Sequence, residues 1–167
     1  LGDVYKRQSQ RVSFDCVRKP LRQRGGQWDK CRMSEQDRAN ALLQEGIERA
    51  KSGKFDDALR LFDEALQVVP ENPVVNYNRG LVQQQAGSIE AAIVAYRAAA
   101  EVQPQFTEAW INLSQALKLL GRFSQALEAA EQAVQLDPAQ PSAWLAKGNA
   151  LRGLNALNQA ADAFHSG

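Results

Sequence analysis

Asp56–Pro70 reads DDALRLFDEALQVVP, Glu90–Pro104 reads EAAIVAYRAAAEVQP, and Ser124–Pro138 reads SQALEAAEQAVQLDP. Their closing prolines, Pro70, Pro104 and Pro138, recur every 34 residues. A fourth phrase, NQAADAFHSG at Asn158–Gly167, begins in the same register. A fixed period of about 20–50 residues marks a stacked array, whose units cannot bury their apolar faces alone and do so against their neighbours.

The repeating residues make physical sense one by one. Gly53, Gly87, Gly121 and Asn155 stand midway between two helical patterns in each unit. A helix commonly ends on a left-handed residue, which Gly adopts freely and Asn tolerates best among the others. On the first helices Gly46, Gly80, Ser114 and Gly148 are small. On the second helices Ala58, Ala92, Ala126 and Ala160 are small too. Small facing small lets two helix axes approach to the short end of the roughly 8–10 Å range. Phe55, Ile89, Phe123 and Leu157 lead into the second helices as apolar plugs. Phe62, Tyr96 and Phe164 fill the core further along, with Ala130 leaving the third unit underfilled. The prolines close the second helices, because Pro lacks an N–H and suits the turn that follows.

In this pattern the chain resembles the tetratricopeptide repeat family, whose unit is a helix–turn–helix of 34 residues. The resemblance covers units at 39–72, 73–106, 107–140 and 141–167. It implies an all-α solenoid of three complete repeats and a truncated fourth. The chain also departs from the family. Trp110 and Trp144 supply the large apolar residue usual early in the first helix, where units one and two have Leu42 and Asn76. Glu45, Arg49, Arg79, Gln83 and Lys147 fall where apolar core residues are common. In unit one this suits a terminal repeat with a polar outer face. In unit two it predicts looser packing against unit one.

The two ends read differently from the body. The chain opens LGDVYKRQ, and one back-translation, CTC GGA GAT GTG TAT AAG AGA CAG, resembles the tail of a transposon-type sequencing-library adapter. Residues 1–8 are therefore expected to be translated adapter. Residues 9–32 read as an untranslated leader translated in frame, or as a disordered basic tail; their single Arg24-Gly25-Gly26 is a weak RNA signal. Met33 then opens the repeat domain, 33–167, with Ser34 as a helix N-cap and Glu35 and Asp37 in the first turn, where the helix dipole favours them. At the other end the pattern stops before any closing Pro, so a continuation beyond Gly167 is expected.

Charge and cysteines follow the same division. Nine of the 20 Lys and Arg but three of the 19 Asp and Glu precede Met33, so the net charge is −5 from Met33 onward and +1 for the whole chain. An acidic body offers no electrostatic footprint for nucleic acid. Cys16 and Cys31 both lie upstream, so the repeats have neither disulfide nor thiolate metal ligands. No apolar run reaches the roughly 18–20 residues of a membrane span, and no signal peptide follows Met33. The expectation is a cytoplasmic protein with no cofactor, no nucleic acid and no membrane.

Nothing in the repeats points to catalysis. His165 has no metal-ligand companions, no G-x-S-x-G elbow occurs, and the glycines follow the repeat period. A solenoid offers a groove lined by its first helices. Projecting these helices leaves a stripe carrying Leu43, Tyr77, Ile111 and Leu145, with Gln44, Asn78, Asn112 and Ala146 beside it. One turn on come Ile47, Leu81, Gln115 and Asn149, and Lys118 and Arg152 edge the far end. An Asn amide can pair with both the N–H and the C=O of an extended peptide. Stacked helices about 10 Å apart match about three residues of strand. Such a ladder resembles the peptide-binding face of the tetratricopeptide domain in O-linked N-acetylglucosamine transferases. The carboxylate clamp of chaperone-binding relatives is not matched, since Leu43, Ile47, Glu108 and Asn112 stand at its places. The expected function is a protein-interaction module that takes a peptide or partner protein in this groove. The alternative is the substrate-recruiting arm of a larger bacterial glycosyltransferase or sulfotransferase.

Overall fold

The protein is described by a computed structural model covering residues 34–166. The readings for residues 1–32, and for Met33 as the start, lie outside those residues. The described part forms eight helices: α1 Glu35–Lys51, α2 Phe55–Val68, α3 Pro73–Gln85, α4 Ile89–Val102, α5 Thr107–Leu119, α6 Phe123–Leu136, α7 Pro141–Gly153 and α8 Leu157–Ser166. Odd-numbered helices are the first helices of the units and even-numbered ones the second.

Each hairpin is closed by the same backbone device. Gly53, Gly87, Gly121 and Asn155 have φ of 75°, 81°, 71° and 60°. The residue after each returns its N–H to a carbonyl five positions back: Lys54 to Arg49 at 3.0 Å, Ser88 to Gln83 at 2.8 Å, Arg122 to Leu117 at 3.0 Å and Ala156 to Leu151 at 3.0 Å. This left-handed cap satisfies carbonyls that the helix end would otherwise orphan. The start of α3 is capped by Asn72, whose Oδ1 accepts from the N–H groups of Val74 and Val75 at 3.1 Å each.

The small residues of the first helices do more than meet small partners. A methyl at Gly46, Gly80 or Gly148 would run into the ring of Phe62, Tyr96 or Phe164. Each glycine thus holds the space its unit's aromatic ring fills. Unit three has exchanged both halves of the pair: Ser114 faces α6, where its hydroxyl donates to Ala126 O at 2.7 Å, and Ala130 stands in place of the ring. A hydroxyl bonded across the hairpin replaces an aromatic plug. Tyr96 is fully buried, and that burial pushes its hydroxyl above the ordinary phenol value. It stays protonated and donates to Gln84 Oε1 at 3.0 Å.

Successive units are joined in a repeating way. Trp110 and Trp144 donate their indole N–H groups to Pro104 O at 2.9 Å and Pro138 O at 2.8 Å, so each tryptophan is tied to the turn that follows the second helix of the unit before it. The basic residues in core register are neutralised across the junctions. Arg79 lies 3.2 Å from Asp63 and Lys147 lies 3.3 Å from Glu131, both pairs 16 residues apart. Lys147 also lies 5.8 Å from the centre of the Trp144 ring. In unit one, Arg49 reaches Glu45 at 3.0 Å and Asp57 at 3.6 Å.

The polar residues expected to loosen the packing between units one and two lie together at that junction. Asn76, Arg79 and Gln83 form one stripe along α3. Asn76 and Gln83 are both buried, and Gln83 Oε1 has no hydrogen-bond partner among the described residues. Arg79 Nε is close to Asp63 but lacks hydrogen-bond geometry, so that contact is one of charge alone. An apolar cluster nevertheless crosses the junction, with Val75 and Val82 of α3 packed in one group with Phe62 and Leu43 of unit one. A buried orphan acceptor costs about 1–3 kcal/mol. Gln83→Leu is therefore expected to raise stability in urea by about 1–2 kcal/mol, with an unchanged circular dichroism spectrum.

Candidate functional site

Contacts between like helices run along the first helices, α1 with α3 and α5 with α7. The second helices wedge between them from outside, α2 packing on α1 and α3, α4 on α3 and α5, and α6 on α5 and α7. The stack therefore bends with the first helices on its inner face. Positions i, i+4 and i+7 of each first helix share one side, and they make three rungs across the array. The first rung is Leu43, Tyr77, Ile111 and Leu145. The second is Ile47, Leu81, Gln115 and Asn149. The third is Ala50, Gln84, Lys118 and Arg152.

The structure corrects the first rung. Leu43 and Ile111 are each only 5% exposed. Leu43 is packed in the cluster of Phe62 with Val75 and Val82 of α3, and Ile111 lies with Ala133 and with Ala143 of α7. The following unit's first helix covers these positions, so they join units together and do not face the groove. Leu145 is 53% exposed. Tyr77 is half-buried, with ring centres 4.8 Å from Phe106 and 5.9 Å from Tyr96.

The amides beside that rung are also engaged. Asn78 is 5% exposed and donates to Val74 O at 2.8 Å. Asn112 donates from Nδ2 to the Tyr77 hydroxyl at 2.9 Å, tying unit three to unit two. One N–H of each amide expected to meet a peptide is thus bonded within the fold. Of their row, Gln44 is exposed and Ala146 is buried.

One turn on, the groove opens. Ile47 and Leu81 are half-buried beside the two core clusters. Gln115 and Asn149 are half-buried on adjacent first helices; Gln115 makes no side-chain hydrogen bond to the described residues, and Asn149 accepts from Arg152 at 3.1 Å. Lys118 is half-buried and Arg152 exposed at the far edge. The expected groove residues thus divide into a buried inter-unit seam and an open amide and cationic strip over units three and four.

On the outer side a furrow of about 280 Å³ lies between α6 and α8, lined in part by Trp144, Lys147, Glu131 and Asp162. The Lys147–Glu131 pair already occupies its polar wall. Among the described residues no three His, Cys, Asp or Glu side chains gather as a metal site would need. No described helix is long and apolar enough to cross a membrane.

A family model described as tetratricopeptide repeat matches the chain at residues 43–105, 77–141 and 114–166. No curated protein sequence matches it. Among solved structures, the chain is similar to a crystal structure of MamA, with 21% identity and a TM-score of 0.72 over 77% of this chain and 75% of that one. It is similar to MamA AMB-1 at 25% identity and TM-score 0.69, over 77% and 70% of the two chains. It is also similar to MamA from Desulfovibrio magneticus RS-1, taken from residue 41 to its end, at 24% identity and TM-score 0.69 over 76% and 72%. At identities of this order the likeness is one of fold.

Proposed function

The chain belongs to the tetratricopeptide repeat family, a scaffold for protein–protein interaction, and we propose that its inner groove holds an extended segment of a partner protein over units three and four. One observation carries this reading. Gln115 and Asn149 offer amides on neighbouring first helices at the same register. They sit about 10 Å apart if the helices keep ordinary packing distance, which matches about three residues of strand. An amide that both donates and accepts suits the backbone of such a segment, whatever its side chains. The half-buried Leu81 and Ile47 continue the same rung into units two and one, where they would meet apolar side chains of the partner. The repeats act by contact and carry no reaction of their own.

The test uses peptides selected from a displayed random library against the full chain. Gln115→Ala combined with Asn149→Ala is expected to weaken the selected peptides about tenfold, at roughly 0.5–1.5 kcal/mol for each hydrogen bond lost. Gln125→Ala with Gln132→Ala, the same chemistry on the exposed side of α6, should leave affinity unchanged. Equal affinity in the first pair, or a loss in the second, would move the site out of the groove.

A further inference from the structure

The array treats one of its cations unlike the rest. Four basic residues among the described residues are half-buried: Arg49, Arg79, Lys118 and Lys147. Three of them have an acidic partner, with Arg49 at 3.0 Å from Glu45, Arg79 at 3.2 Å from Asp63 and Lys147 at 3.3 Å from Glu131. Lys118 alone has none among the described residues. It stands on the third rung of the groove, and the residue one unit further in the same register is another cation, Arg152. That guanidinium is held by the neutral Asn149 side chain and by no carboxylate among the described residues. No acidic residue stands on any of the three rungs, and Glu108, at a clamp place of unit three, precedes the first rung by a turn and Lys118 by ten residues.

A half-buried lysine lays its apolar stem on the surface and keeps its ammonium in water, so Lys118 presents on the groove side a charge that no carboxylate among the described residues meets. The dipole at the ends of α5 and α7 favours a cation in either last turn. It does not account for both lying on the groove side, nor for acids being absent from every rung. The composition of the rungs also changes along the array. The second and third rungs carry Ile47, Leu81, Ala50 and Gln84 in units one and two, against Gln115, Asn149, Lys118 and Arg152 in units three and four. One end of the groove is apolar to neutral, and the other is amide-bearing and cationic.

We infer that the groove selects an acidic extended segment, with two carboxylates about three residues apart set against Lys118 and Arg152 and apolar side chains toward Leu81 and Ile47. This rests on the groove reading above and adds the chemistry of the occupant. Carboxylates accept charge-assisted hydrogen bonds from both side chains, and Arg152 can meet one in a bidentate fashion. The partner is thus a protein with an acidic, unstructured stretch.

The same displayed library decides the matter. Selection against the full chain should enrich sequences with paired Asp or Glu residues at that spacing. Changing both acids of a selected peptide to their amides should weaken binding about tenfold, the scale of two solvent-accessible ion pairs, and binding of the acidic form should fall with added salt. Lys118→Gln with Arg152→Gln should erase the difference between the two peptides while leaving the circular dichroism spectrum intact. Recovery of neutral or basic sequences, or an acidic preference that survives the double substitution, would overturn the inference. If such neutral peptides still lose affinity in Gln115→Ala with Asn149→Ala, the groove reading stands and the acidic occupant alone falls. If nothing is recovered, both fall.

Discussion

Gly80→Ala is expected to destabilise the chain by about 2 kcal/mol or more, although alanine is the better helix former. In an unconstrained helix this change gains about 0.5–1 kcal/mol. A Cβ at Gly80 would lie 2.6 Å from Cε1 and 2.7 Å from Cδ1 of Tyr96. That ring cannot step aside, because Tyr96 is fully buried and its hydroxyl is bonded to Gln84. The hairpin must open instead, which breaks the packing of α3 on α4. Gly148 provides the control. Its Cβ would also meet a ring, but Phe164 is 41% exposed and free to swing outward. Gly148→Ala is therefore expected to be neutral or slightly stabilising. Urea denaturation of the two variants measures the difference. Equal effects would mean that close approach at the glycine is not what sets the helix spacing.

Gly121→Val should also cost well over the roughly 1 kcal/mol of the helix-propensity scale, for a different reason. At φ of 71° a β-branched residue is strained, and among the described residues no heavy atom beyond its own chain neighbours lies within 4 Å of where its Cβ would go. Its destabilisation reports backbone conformation without any clash. Asn155→Gly, at φ of 60°, should be neutral or slightly stabilising, since Gly occupies that region without a Cβ penalty. A Gly121→Val protein that unfolds at the wild-type urea concentration would contradict the turn geometry.

These two cases also show what the sequence could carry. The turn residues and the small–large exchange between Gly80 with Tyr96 and Ser114 with Ala130 are local or fixed in register, so a 34-residue comparison exposes them. The polar stripe of Asn76, Arg79 and Gln83 was visible for the same reason, whereas the apolar cluster that carries Val75 and Val82 across that junction to Phe62 was not. The groove was legible only in outline. That Asn78 turns back onto the carbonyl four residues earlier leaves no trace in the pattern, because an outward-facing Asn would be spelled identically. That Asn112 reaches Tyr77 depends on the angle between units, which no single unit encodes. Leu43 and Ile111 project toward the groove on a helical wheel, yet the next first helix covers them. The pairings of Arg79 with Asp63 and of Lys147 with Glu131, both at an offset of 16, were a usable signal, and they single out Lys118 by contrast.

Partners are expected to enter on the first-helix side of units three and four. Carbene footprinting of the full chain, with and without a library-selected peptide, tests it most directly because it reports side-chain cover residue by residue. Labelling at Gln115, Lys118, Asn149 and Arg152 should fall when peptide is bound, while Val94, 66% exposed on α4, keeps its labelling. Loss of labelling at Val94 and along the exposed sides of α4 and α6, with the groove residues unchanged, would contradict the claim and place the interaction on the outer face.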